Sequence, residues 1–120
     1  MNRDSWVKIY RKMMSWEWYK DISCKVIFLH LILNVQHKET HYCGIILKKG
    51  QTITTIRKLA KETGLSVQQT RTALTKLQKT NDIFIQKTKS FSIISLNNWQ
   101  MYQGKIAKNN GEDSSYNAFA

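Results

Sequence analysis

The sequence predicts an α+β fold, mostly helical: a winged helix-turn-helix with an N-terminal helical extension and a two-stranded wing. Three observations carry this reading. A segment of helical period ends at Gly64, and a single residue separates it from Ser66, which opens the next. Gln69 follows Ser66 by three positions, the spacing at which a serine and a glutamine cap a helix start reciprocally. Beyond Leu77 the apolar period changes from that of a helix to the alternation of strands.

The elements follow in order. Trp6, Ile9, Tyr10, Met13 and Met14 recur at helical intervals, which predicts an amphipathic helix over 6–19 with Asp4 or Ser5 as its cap. Cys24, Ile27, Phe28, Leu31, Ile32 and Val35 repeat the spacing, and Leu29 and Leu33 add apolar side chains on other faces. The helix over 23–37 is therefore expected to be the most buried. Ile45-Ile46-Leu47, then Lys48-Lys49-Gly50-Gln51, then Thr52-Ile53 read as a short strand and a turn. Thr54 or Thr55 caps a short helix with the stripe Ile56, Leu59 and Ala60, and Gly64 stands where a left-handed residue ends it. The tight connection to Ser66 makes this helix and the next cross steeply, with small Ala60 allowing close approach. In the hairpin, Ile83, Ile85, Phe91 and Ile93 read as one face and Phe84, Ile94 and Leu96 as the other, with 87–90 as the turn. Trp99, Met101 and Tyr102 return toward the helices, and 104–120, polar and aperiodic, reads as a flexible tail after a single domain over 1–103.

Nineteen Lys and Arg against eight Asp and Glu give a formal charge of +11, a self-repulsion that nucleic acid or an anionic membrane relieves. Residues 43–110 hold twelve of the cations and two of the acids, so almost the whole excess lies in the winged segment. At 42% hydrophobic residues with four Trp, the chain is too apolar for a disordered basic tail. The longest apolar stretch, 26–35, is half of the roughly 20 residues that span a bilayer, and the start does not resemble a signal peptide. No membrane partner is expected, and the location is cytoplasmic. Cys24 and Cys43 are expected as free core thiols. They lie with His30, His37 and His41 within twenty residues, but without a Cys-x-x-Cys pair, so neither a metal nor another cofactor is expected. The chain has no glycine loop of the phosphate-cradling kind and no usable carboxylate pair, so it reads as a non-enzyme.

At 100° per residue, Thr70, Leu74 and Leu77 face the core of the second helix of the pair. Gln68, Thr72, Thr75, Lys76 and Lys79 lie opposite, flanked by Gln69 and Arg71. No acid occurs between Gly64 and Asn81, whereas an ordinary solvated face mixes signs. Gln suits adenine edges, Arg guanine edges, Thr either, and Lys phosphate. The sequence thus assigns contacts with bases of double-stranded DNA to Gln68, Arg71 and Thr72. It assigns contacts with the DNA backbone to Thr75, Lys76 and Lys79 and, at the hairpin tip, to Lys87 and Lys89. Trp6, Trp16, Trp18 and Tyr19 cannot share one stripe of the first helix, so some of them are expected to form a homo-oligomer interface. The alternative is a bend at Ser15 that tucks Trp16 or Trp18 under the wing or against Trp99.

The stretch LKKGQTITTIRKLAKETGLSVQQTRTALTKLQKTNDIFIQKTKSFSIISLNNWQMYQ, with the opening WVKIYRKMMSWEWYKD, resembles the N-terminal winged-helix domain of phage replication initiators, or replisome organisers, and of DnaD-type primosomal proteins. The resemblance covers about residues 5–103. Its more specific elements are the Lys49-Gly50-Gln51 turn, the run LAKETGLSVQQTR and the closing NNWQMYQ. It implies duplex binding at an origin, self-association, a partner in the replication machinery, and a phage- or prophage-encoded protein in a bacterial host. It sets the recognition helix at 66–80 and the wing at 83–96. Thr70 stands where the family usually has a branched aliphatic, and Asn81-Asp82 replaces a glycine-containing turn. Initiators of this kind also continue into a second domain, so a chain of 120 residues is either a piece of a longer initiator or a stand-alone relative, and in the second case simple DNA binding is what is expected of it. A small winged-helix transcriptional regulator and an oligomerising adaptor with little DNA affinity are the alternatives on the same fold.

Overall fold

Among the described residues, three α-helices, α1 (Ile22–Asn34), α2 (Ile56–Thr63) and α3 (Val67–Lys79), pack with five short strands, β1 (Thr40–Tyr42), β2 (Ile45–Leu47), β3 (Gln51–Thr54), β4 (Ile83–Lys87) and β5 (Ser92–Leu96). The computed structural model describes residues 6–97 of this α+β chain. Asp4, Ser5, Trp99, Met101, Tyr102 and the expected tail over 104–120 lie outside the described residues.

The N-terminal segment does not form the helix expected over 6–19. Only Arg11–Ser15 coils, as a 3-10 turn whose N-cap, Tyr10, supplies no side-chain acceptor. The backbone bonds from Trp16 to Met13, Tyr19 to Trp16 and Asp21 to Trp18 all step in threes. The cause is the crowding of large side chains: Met13 and Trp16 are buried while Trp18 and Tyr19 pack on the same core, and a straight helix points these four in different directions. Trp16 lies 4.6 Å from Phe28, centroid to centroid and tilted, and Trp18 Nε1 donates to Thr80 Oγ1 at 3.0 Å. The chain thus bends near Ser15, with Phe28 and Thr80 as the partners.

α1 starts where the Asp21 carboxylate accepts the Cys24 N–H at 3.1 Å, and it buries Cys24, Ile27, Phe28, Leu31 and Ile32. It is the central helix its spacing predicts, but it ends at Asn34. Gln36 already exchanges backbone bonds with Gln51 and Gly50, which draws the chain off the helix axis. β1 and β2 form a hairpin with Cys43 and Gly44 at φ 48° and 80° in the turn. Cys43 is therefore exposed, and only Cys24 is the core thiol expected.

The expected two-stranded wing is part of a three-stranded antiparallel sheet of order β3-β5-β4. The Thr52-Ile53 segment supplies its third strand, pairing Gln51 with Ser95 through to Thr54 with Ser92. In the β4–β5 pair, Ile83 faces Leu96 and Ile85 faces Ile94. The inward face is thus Ile83, Ile85, Ile94 and Leu96, not the grouping with Phe91 and Ile93 expected from alternation alone. The turn across Thr88 to Phe91 sets odd positions of β4 opposite even positions of β5, a parity that alternation cannot supply. Leu59, Leu74 and Leu77 close the core against this face.

Candidate nucleic-acid interface

Local chemistry fixes the two helices of the pair. Thr55 Oγ1 accepts the Lys58 N–H at 3.1 Å to open α2, and Gly64 at φ 83° closes it. Ser66 Oγ accepts the Gln69 N–H at 3.0 Å while Gln69 Oε1 accepts the Ser66 N–H at 2.9 Å, so the capping box is complete and occupies the Gln69 amide. Thr70 is fully buried, and its hydroxyl donates to Ser66 O at 2.9 Å. A hydroxyl in the place of an aliphatic therefore leaves no unsatisfied group and holds the first turn.

α3 buries Thr70, Ala73, Leu74 and Leu77, and Gln68, Arg71, Thr72, Thr75 and Lys79 are exposed. Gln68 Nε2 donates to Thr72 Oγ1 at 3.2 Å, one turn on, which orients the amide along the helix. Thr75 Oγ1 donates to Arg71 O at 3.0 Å, leaving its lone pairs outward. Lys76 is placed differently from the expectation. Its Nζ donates to Asp21 Oδ2 at 2.8 Å and lies 5.7 Å over the Trp18 ring. The hydrogen bond from Lys76, then that from the Cys24 N–H, holds the Asp21 carboxyl below the usual carboxylate range, and the same pair raises the ammonium. Lys76 thus fastens α3 to the start of α1, on the flank away from the sheet.

The opposite flank of α3 faces the sheet across a cleft of about 390 Å³. Arg71, Thr75 and Gln78 form one wall, and Thr54, Ser92 and Lys87, at the ends of β3, β5 and β4, form the other. The floor is aliphatic: Ile56, Leu59, Leu74, Ile85 and Ile94. Gln78 Oε1 accepts the Ile85 N–H at 3.0 Å and so ties helix to strand at one end. Lys87 and Lys89 are exposed at and beyond the end of β4, Lys89 within the turn that Thr88 and Phe91 close. Sequence reasoning missed this cleft, although Arg71, Thr75 and Gln78 at spacings of four and three were its trace on the helix.

The joint between α3 and β4 is built without glycine. Asn81 adopts φ 62°, a left-handed value that asparagine tolerates, and Asn97 Nδ2 donates to Asn81 O at 2.7 Å. Thr80 Oγ1 donates to Asp82 Oδ2 at 2.6 Å, and burial pushes the Asp82 carboxyl up to about 6.

Of the residues expected at a homo-oligomer interface, Trp6 is 76% exposed and Trp16 is 3% exposed. Trp16 is a core residue and is not on the surface. Trp18 and Tyr19 are half-buried, with Lys25 Nζ 4.3 Å over the Tyr19 ring. Among the described residues no three His, Cys, Asp or Glu side chains come together, and no helix is long and apolar enough to cross a membrane.

No curated protein and no solved structure matches this chain. Residues 7–111, which include every helix and strand described above, match the Firmicute plasmid replication protein family, RepL. The sequence resemblance to phage initiators and DnaD-type proteins is met at the level of a replication protein family. With 7–111 of 120 residues matched, the chain belongs to the Firmicute plasmid replication protein family, RepL.

Proposed function

We propose that this chain is a winged helix-turn-helix module that binds double-stranded DNA in the initiation of plasmid replication. The observation that carries the reading is the outward face of α3, where Gln68, Thr72, Thr75 and Lys79 are exposed and no acid occurs between Gly64 and Asn81. A helix so anchored by its capping box presents its first turns to the major groove. Gln68 and Thr72 meet base edges, while Thr75, Lys79, Lys87 and Lys89 meet the backbone. The module acts as a homo-oligomer and hands the origin to the host replication machinery.

The test is selection of bound fragments from random and plasmid DNA at near-physiological salt, followed by Gln68→Ala and Lys79→Ala on the selected site. Gln68→Ala should weaken the selected site by roughly 1 to 3 kcal/mol and relax the preference at one base pair. Lys79→Ala should weaken selected and random duplexes alike. No enrichment and no duplex affinity would favour the adaptor, and enrichment of palindromes beside promoters the transcriptional regulator.

A further inference from the structure

We infer that the cleft between α3 and the sheet is a seat for the sugar–phosphate backbone of one DNA strand, with Arg71 and Lys87 gripping a single phosphate from its two walls. The inference rests on the duplex-binding reading above and assigns Arg71 to phosphate instead of to the base edge expected from sequence. Arg71 stands on the flank of α3 that turns toward the sheet, beside Thr75, and not among the most outward side chains. Lys87 closes the same cleft from the end of β4. No carboxylate lines the cleft, and neither cation is in a salt bridge among the described residues. Two unneutralised cations lining one cleft favour a doubly contacted anion.

The rest of the lining selects the kind of anion. Behind the two charges lie the side chains of Ile56 and Ile85, half-buried, above a floor of buried Leu59, Leu74 and Ile94. A hydrated inorganic ion gains nothing from such a surface, whereas the apolar edge of a deoxyribose does. Thr75 and Ser92 add hydroxyls to the lining, suited to the remaining phosphate and sugar oxygens. With α3 in a major groove and the β4–β5 turn on the neighbouring backbone, the strand between them has to cross this mouth. At about 390 Å³ the cleft has the size of a ligand site and not of a packing defect.

The experiment uses the selected duplex with single methylphosphonates, which remove one charge each, scanned along both strands. Wild-type protein is expected to lose about tenfold in affinity at one phosphate, or at two adjacent ones, on the strand between helix and wing. In Arg71→Ala and in Lys87→Ala, both exposed and checked for unchanged circular dichroism, the same position should become nearly silent. Ser92→Phe, which keeps both cations but fills the mouth, should weaken the unmodified duplex by a similar factor. A penalty that persists at that phosphate in both alanine variants overturns the inference, as does Ser92→Phe with full affinity. It also fails if Arg71→Ala keeps the phosphate pattern and instead loses preference for one base pair. In each of those outcomes duplex binding itself stands, whereas a wild-type protein without duplex affinity refutes the duplex-binding reading.

Discussion

Asp82 stands at the joint between α3 and β4, 6% exposed, with the Thr80 hydroxyl 2.6 Å from one oxygen. Burial is the main cause that raises its carboxyl to about 6, against 3.8 unfolded. The folded state therefore prefers the protonated form: the contribution to stability is complete below pH 3.8 and is lost as pH rises through 6. The linkage is worth on the order of 3 kcal/mol. Asp82→Asn keeps an acceptor for Thr80 and should stabilise the protein at pH 7.5 while changing little at about pH 3, measured as urea midpoints. A midpoint at pH 7.5 lowered by the substitution would contradict the burial cause. Asp21 works with the opposite sign, since its lowered carboxyl gives stability above pH 3.8 that is lost on acidification. Lys76→Ala should therefore lower stability at pH 7, lose that effect below the carboxylate range, and leave duplex affinity within about twofold, because its charge is already committed to Asp21. A loss of affinity comparable to that of Lys79→Ala would return Lys76 to the DNA. Helical angles alone set Lys76 near the outward face. The acid that claims it is 55 positions away, a distance that no local pattern reads.

Among the elements, those stabilised by neighbours in sequence were legible and those shaped by distant packing were not. The caps at Thr55 and Ser66 and the left-handed Gly64 need only residues within three or four positions, and all three form as their spacing predicts. A Cβ at Gly64 meets nothing within 4 Å, so Gly64→Ala should cost only its backbone strain, about 1 to 2 kcal/mol in chemical denaturation. A neutral effect would mean that the turn relaxes out of the left-handed region. The N-terminal helix failed because Trp16 and Trp18 find Phe28 and Thr80, partners 12 and 62 residues on, and the backbone follows the side chains. Truncating so buried a tryptophan costs roughly 3 to 5 kcal/mol, a large share of a domain's stability. Trp16→Ala should thus appear as unfolding in near-ultraviolet circular dichroism, and it is no probe of an interface. The third strand of the sheet was equally invisible: Gln51–Thr54 lacks a long alternation and earns its place by pairing with β5.

At the scale of the molecule, an excess of eleven positive charges on 120 residues favours an acidic partner, and the described surface also leaves Trp6, Ile9 and Met14 at least half exposed. Self-association through that N-terminal segment predicts a dimer or larger in light scattering at micromolar concentration, reduced to a monomer by Trp6→Ala with Met14→Ala. A monomeric wild type would contradict it. The candidate site was legible as a charge pattern and a polar helix face, both properties of contiguous sequence. Its cleft was not, because that needs the ends of three strands brought opposite one helix flank. Duplex binding through this face is the central claim, and counterion release tests it most directly. With four to six phosphates engaged, the affinity for the selected duplex should fall with salt at a log–log slope of about −4 to −5. Removing Lys87 and Lys89 together should flatten that slope by about two. Affinity that is flat between low and physiological salt, or absent at both, would contradict it.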